Sequence, residues 1–208
     1  ARNRVEVVYA SVALGFARVV TTTLHPMGSV DDYLYVIEDA GIDTLIYDAA
    51  LYEPAARALR ERAPGLRHLL AMGHSEVGSD IVEAGLAYAP APLVTPDSGP
   101  RDVMRIAYSG GTTGKPKGIM VSNQSAFTAA MLQELEWEWP DEIRHLICAP
   151  LSHAGAAVLT SVLLRGGMMK VLPAFDPLEA MRAIEHYRIT SVLMVPTMVI
   201  AKIGRAHV

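Results

Sequence analysis

In the run Tyr108-Ser109-Gly110-Gly111-Thr112-Thr113-Gly114-Lys115-Pro116-Lys117-Gly118, a serine, three glycines and two threonines occupy six consecutive positions, and two lysines follow. Glycine admits positive φ and lets a backbone come close to a ligand. Successive N–H groups can then converge on an anion, and hydroxyls add donors. The lysines bring positive charge. This combination suits a loop that holds a chain of phosphates.

Register decides which kind of loop it is. A Walker A loop needs Gly, four residues, then Gly-Lys-Ser/Thr. Gly110 to Gly114 is one residue short of that, and Lys115 is followed by Pro116, where a Walker loop places its magnesium-binding hydroxyl. The dinucleotide pattern G-x-G-x-x-G fails because Gly110 and Gly111 are adjacent. Pro116 and the β-prone run Ile119 to Val121 place the segment Ser109 to Gly114 between two strands rather than at a helix start.

The elements around this segment alternate. Val5 to Phe16 reads as a helix and Ala17 to Thr23 as a β-branched strand. Ser29 and Asp32 form a capping box for a helix reaching Ala40, which Gly41 ends. Thr44 to Tyr47 is a strand, Ala50 to Arg62 a helix, and Arg67 to Ala71 a strand. The stretch Tyr88 to Pro100, rich in proline, reads as a linker. Strands Arg105 to Tyr108 and Gly118 to Val121 flank the glycine-rich segment, and Ser122 can cap a helix from Ser125 to Glu136. Then come a strand Arg144 to Ala149, a helix Gly155 to Leu164 and a strand Met168 to Leu172. Asp176-Pro177-Leu178-Glu179 starts a helix with an Asp cap and Pro in the first turn. Thr190 to Val195 is the last strand. Alternation of this kind predicts an α/β fold with largely parallel sheets.

Composition limits the partners. The 208 residues are 51% hydrophobic and 19% charged, with a net charge of −4, which gives enough apolar material for a core and no basic field for nucleic acid. The apolar stretch Ala154 to Leu164 is too short to span a bilayer. One cysteine, Cys148, forms no internal disulfide, which suits a cytoplasmic location. Its apolar surroundings mark it as an inert buried thiol.

The glycine-rich run resembles the phosphate-binding signature of the adenylate-forming enzymes, which include acyl-CoA synthetases and peptide-synthetase adenylation domains. Their pattern reads Tyr-Thr-Ser-Gly-Thr-Thr-Gly-x-Pro-Lys-Gly. Here Ser109 replaces the usual Thr and keeps a hydroxyl, while Gly110 replaces the usual Ser and loses one. Leu24-His25-Pro26-Met27-Gly28-Ser29-Val30 is similar to a segment of acyl-CoA synthetases. So are Pro150-Leu151-Ser152-His153-Ala154-Gly155, Phe175-Asp176-Pro177 and Val195-Pro196-Thr197-Met198. The resemblance covers nearly the whole chain. It implies a first α/β subdomain over residues 1–138, holding the loop 108–118, and a second beginning at 139.

The resemblance also assigns roles. Ser109, Gly110, Gly111, Thr112, Thr113, Gly114 and Lys117 would hold the phosphates of ATP, with Lys117 catalytic and Thr112 the contact to Mg2+. Lys115 occupies a variable position. His153, just after a strand, would line the acyl pocket near the carboxylate. The implied reaction is that of an ATP-dependent carboxylate–CoA ligase: a carboxylic acid, such as a fatty acid, attacks the α-phosphate of ATP. CoA then displaces AMP. The family's Tyr-Gly-x-Thr-Glu motif, ribose-binding Asp and lid lysine have no match here, so the chain is expected to be a piece of a longer enzyme. By itself it is expected to be inactive and prone to self-association or a domain swap. Two other classes stay open, a peptide-synthetase adenylation domain and a non-catalytic nucleotide-binding module.

Several patterns are set aside. Gly73-His74-Ser75-Glu76-Val77-Gly78 misses the nucleophile-elbow spacing by one residue. His68 with His74, and His145 with His153, lack the close pairing of zinc ligands. Trp137 and Trp139 read as a packed helix end rather than a platform for bases.

Overall fold

Helix α1 covers Val5–Phe16, in the computed structural model that describes residues 2–109 and 116–205, with side chains to Lys202. Its end overturns the strand expected at 17–23. Arg18 takes a left-handed φ of 57°. The N–H groups of Ala17, Arg18 and Val19 donate back to Ala13, Gly15 and Leu14. Amides that a ladder would need therefore close the helix. Of the expected strand, Thr21 forms a parallel bridge to Arg105.

Two compact units emerge. The first is Val8–Asn123; the second joins Arg2–Val7 to Gln124–Val208.

In the first unit, α2 (Val30–Asp39) begins with the predicted capping box. Asp32 donates its N–H to Ser29 Oγ at 3.2 Å, and Ser29 N donates to Asp32 Oδ2 at 2.8 Å. Gly41 ends the helix with a φ of 63°, a conformation that costs a side-chain-bearing residue energy. Strands β1 (Thr44–Asp48) and β2 (His68–Met72) pair in parallel around α3 (Ala49–Arg62). This is the crossover that parallel pairing demands. Tyr33, Ile37, Leu59, Ala63 and Leu66 form the core between α2, α3 and the sheet.

A short strand β3 (Ser79–Asp80) and helix α4 (Ile81–Leu86) were not expected from the sequence. The readable signal was Asp80, whose carboxylate accepts from the N–H groups of Val82 and Glu83. Residues 88–100 are irregular, as predicted. Strands β4 (Val103–Ser109) and β5 (Lys117–Ser122) then pair as an antiparallel hairpin.

Helix α5 (Asn123–Glu136), all but its first residue in the second unit, leads to a parallel sheet ordered β7 (Met168–Val171), β6 (Arg144–Ile147), β8 (Ser191–Val192). Leu146 at the centre of β6 is fully buried. It packs with Cys148, Ala149, and Ala180 and Ala183 of helix α7 (Pro177–His186). Asp176 accepts from Glu179 N at 2.9 Å and caps α7 as predicted. Trp139 packs against the Ile143, Val158 and Val162 cluster and donates Nε1–H to Gln133 O at 3.1 Å. Trp139 is thus packed beyond the end of α5, as expected, whereas Trp137 is exposed, contrary to that expectation.

The helix expected at 155–164 is split into a 3₁₀ turn (Ala154–Ala156) and α6 (Leu159–Leu164). At the break the Ala157 carbonyl accepts from the Gln133 side chain, Nε2 at 3.1 Å, where a continuous helix would use a backbone amide four residues on. The strand expected at 190–195 is cut to β8, and α8 (Pro196–Arg205) follows it. Pro196 at the first helical position was the missed signal.

Candidate functional site

The β4–β5 hairpin is built around the glycine-rich segment. Register pairs Ser109 with Lys117 and Tyr108 with Gly118. The segment therefore leaves β4 and re-enters β5 at one strand pair, in agreement with the strands expected on both sides. Gly110, Gly111, Thr112, Thr113, Gly114 and Lys115 lie outside the described residues. Ser109 and Lys117 are both exposed at the hairpin's end, where their side chains can meet a soluble anion.

The opposite end of the hairpin is cross-tied. Asp102 Oδ2 accepts from Gly99 N at 2.7 Å. Asn123 donates Nδ2–H to Ser98 Oγ at 2.6 Å and to Gly99 O at 2.8 Å. Its backbone N–H reaches Asp102 O at 3.0 Å. These bonds hold the linker against the strand that follows it.

Near the glycine-rich end, α2 supplies two contacts that sequence reasoning missed. Tyr108 donates its hydroxyl to Asp39 Oδ2 at 2.5 Å, and Tyr35 donates to the Pro116 carbonyl at 3.1 Å. Burial, and then the Asp39 carboxylate, push the Tyr108 phenol well above its ordinary range. It stays a proton donor at all physiological pH. The spacing of Tyr35 and Asp39 was legible, but nothing in the sequence said which element their helix face would meet.

In the second unit, His153 lies past the C-terminal end of β6, where open α/β sheets carry their ligands. The turn before it is held by Asn3, which donates Nδ2–H to Ala149 O and accepts from Leu151 N, both at 2.9 Å. The Pro150 carbonyl then accepts from His153 N at 2.9 Å and Gly155 N at 3.0 Å. A Cβ on Gly155 would stand 2.9 Å from the Pro150 carbonyl carbon and would strike the Ala149 oxygen. The glycine is thus required by close backbone approach. The His153 ring is exposed, with Nδ1 3.0 Å from Ser152 Oγ.

Other candidates resolve as structural. His145 is buried on β6, with Nδ1 2.9 Å from Ser191 Oγ, and burial lowers its pKa to about 4. Burial pushes the Cys148 thiol upward, against nucleophilic use. Ser75 donates to Glu53 Oε2 at 2.7 Å and accepts from the N–H groups of Val77 and Gly78. Together with Tyr47, whose hydroxyl lies 2.6 Å from Ser75 Oγ, and Glu53, which also accepts from Glu76 N, it locks a turn. Among the described residues, no group of three or more His, Cys, Asp or Glu side chains could hold a metal ion. No helix among them is long and apolar enough to cross a membrane.

Comparison with known proteins gives a consistent picture. Residues 1–206 match the family described as AMP-binding enzyme. A medium/long-chain-fatty-acid–CoA ligase of Mycobacterium tuberculosis (strain ATCC 25618 / H37Rv) is 44% identical over 208 residues, covering 96% of this chain and 36% of the ligase. A long-chain-fatty-acid-CoA ligase structure from Archaeoglobus fulgidus superimposes with a TM-score of 0.88 at 20% identity, over 99% of this chain and 41% of that one. The amide bond synthetase McbA from Marinactinospora thermotolerans superimposes at 0.83 with 24% identity, over 97% and 40%. At such identities these structures establish the fold. The chain spans 36% of the mycobacterial ligase and 41% of the archaeal one.

Proposed function

Because the chain belongs to the AMP-binding enzyme family, we propose that it forms part of an ATP-dependent carboxylate–CoA ligase acting on a medium- or long-chain fatty acid. The observation that carries this reading is the 44% identity, along 96% of the chain, to a ligase of that description. The exposed hairpin end with Ser109 and Lys117 is compatible with it.

The first half-reaction is attack of the carboxylate on the α-phosphate of ATP, with pyrophosphate leaving. Negative charge grows on the leaving group, and donors fixed in advance lower the barrier most. In this reading Ser109, Gly110, Gly111, Thr112, Thr113 and Gly114 hold the phosphates. Lys117 neutralises the pyrophosphate as the bond breaks. His153 lines the acyl side. CoA thiol then attacks the acyl-adenylate carbonyl and AMP departs. Mg2+ enters as the ion that accompanies ATP, with Thr112 as its proposed contact; the described residues offer no ligand cluster for it, and no step is assigned to it. The single buried cysteine is compatible with a cytoplasmic enzyme.

The test is carboxylate-dependent exchange of pyrophosphate into ATP by the full-length protein, followed by thioester formation with CoA. Exchange that rises with fatty acids and thioester product that needs CoA would support the reading. Absence of exchange with every acid tried would sink it. Exchange with transfer to amines but not to CoA would move the protein to another branch of the family.

A further inference from the structure

Tyr35 and Asp39 stand one helical turn apart on α2, so their side chains share a face. One reaches each stem of the glycine-rich segment: Asp39 takes the hydroxyl of Tyr108, the residue before Ser109, and Tyr35 donates to the carbonyl of Pro116, the residue before Lys117. The helix that carries them is itself fixed. Its capping box closes the first turn, and Tyr33, Val36 and Ile37 are buried. A bond to an ionised carboxylate is stronger and shorter than a neutral one. Pro116 has no N–H, so its carbonyl is the one backbone hydrogen-bonding group it can offer.

We propose that Tyr35 and Asp39 are positioning residues that set where the two stems of the phosphate-binding segment, and with them Ser109 and Lys117, stand relative to α2. The inference rests on the proposed ligase reading for its catalytic consequence, and on the hydrogen bonds alone for its structural one. The ladder fixes the two stems to each other through the pairs Tyr108–Gly118 and Ser109–Lys117, and the two contacts, one per stem, fix that paired end to α2. Gly118 contributes by leaving room for the Tyr108 ring: a Cβ there would meet its Cζ at 3.2 Å.

The test uses the full-length protein carrying Tyr108→Phe, Asp39→Ala, the pair together, Asp39→Asn and Tyr35→Phe. Each of Tyr108→Phe, Asp39→Ala and Tyr35→Phe should reduce kcat/KM for ATP in pyrophosphate exchange by roughly three- to tenfold, the scale of one lost hydrogen bond. The Tyr108→Phe, Asp39→Ala pair should lose no more than either single change, because they break one bond. Asp39→Asn keeps an accepting oxygen and should recover part of the loss. Thioester formation from pre-made acyl-adenylate and CoA should be unchanged. Equal losses in both half-reactions, tracking a lowered Tm, would overturn positioning in favour of a general stability role, and so would unchanged exchange. Tryptic cleavage after Lys117 gives a readout free of activity, since the Lys115–Pro116 bond resists trypsin. Faster cleavage in the variants supports the tether, and unchanged cleavage overturns it. Wild-type protein without any exchange would instead refute the ligase reading, leaving the cleavage result to decide this one.

Discussion

Gly118 and Tyr108 are register partners across the β4–β5 hairpin, and a Cβ on Gly118 would stand 3.2 Å from Tyr108 Cζ and 2.9 Å from Ile106 Cγ2. The glycine is a space requirement. Gly118→Ala should push both side chains and cost about 1–3 kcal/mol, as overpacking does. Gly118→Val should cost more. Urea unfolding of the two variants checks the order; equal stability to wild type would show that the hairpin has slack.

Lys117 and Lys115 should separate kinetically in the full-length enzyme. Lys117→Ala is expected to slow adenylate formation more than it weakens ATP binding. The loss of one charge-assisted donor should be on the order of 2–4 kcal/mol in that step. Lys115→Ala should cost far less, and thioester formation from pre-made adenylate should be untouched by either. Pyrophosphate exchange on both variants gives the ranking. Equal losses would mean that the charge was assigned to the wrong lysine.

His145 links stability to pH. Burial lowers its folded pKa to about 4, from an ordinary 6.5. As pH falls, the unfolded chain binds this proton first. The stabilisation from a neutral buried ring is therefore complete above pH 6.5 and lost progressively down to about pH 4, by up to on the order of 3 kcal/mol. His145→Asn should remove that component. The stability difference between wild type and variant, followed by urea unfolding across this range, should shrink as pH falls. A constant difference would contradict the assignment.

Asn3→Ala should leave the Ala149 carbonyl and the Leu151 amide without their side-chain partner in a buried setting. A loss of about 2–4 kcal/mol is expected for two such groups. Asn3→Asp should be no better, because a carboxylate cannot donate to the Ala149 oxygen. Thermal unfolding checks both, and intact stability in Asn3→Ala would mean that water replaces the amide fully.

Legibility followed locality. The α2 capping box and the Asp176 cap of α7 are decided within four residues, and both stood out in the sequence. The run 17–23 misled because its composition favours a strand while Arg18 ends the helix in a left-handed turn. The split of the helix at 155–164 is met by Gln133, far away in the chain. At the candidate site the motif marked Ser109, Lys117 and His153. It could not mark Tyr35 or Asp39, because their relevance comes from a helix packing beside a hairpin it does not adjoin in sequence.

The bonds of Asn3 to Ala149 and Leu151 span 146 and 148 positions. The second unit therefore takes in a segment synthesised before the whole of the first. Its assembly waits on closure of a very long loop. The equilibrium penalty for that grows only with the logarithm of loop length, about 0.6 kcal/mol per doubling. The rate bears the larger burden, since non-local pairing slows folding far more than it weakens the folded state. The first unit can complete itself while the second is still collecting its earliest residues, so the segment 2–7 is made first but placed only once the second unit exists to receive it.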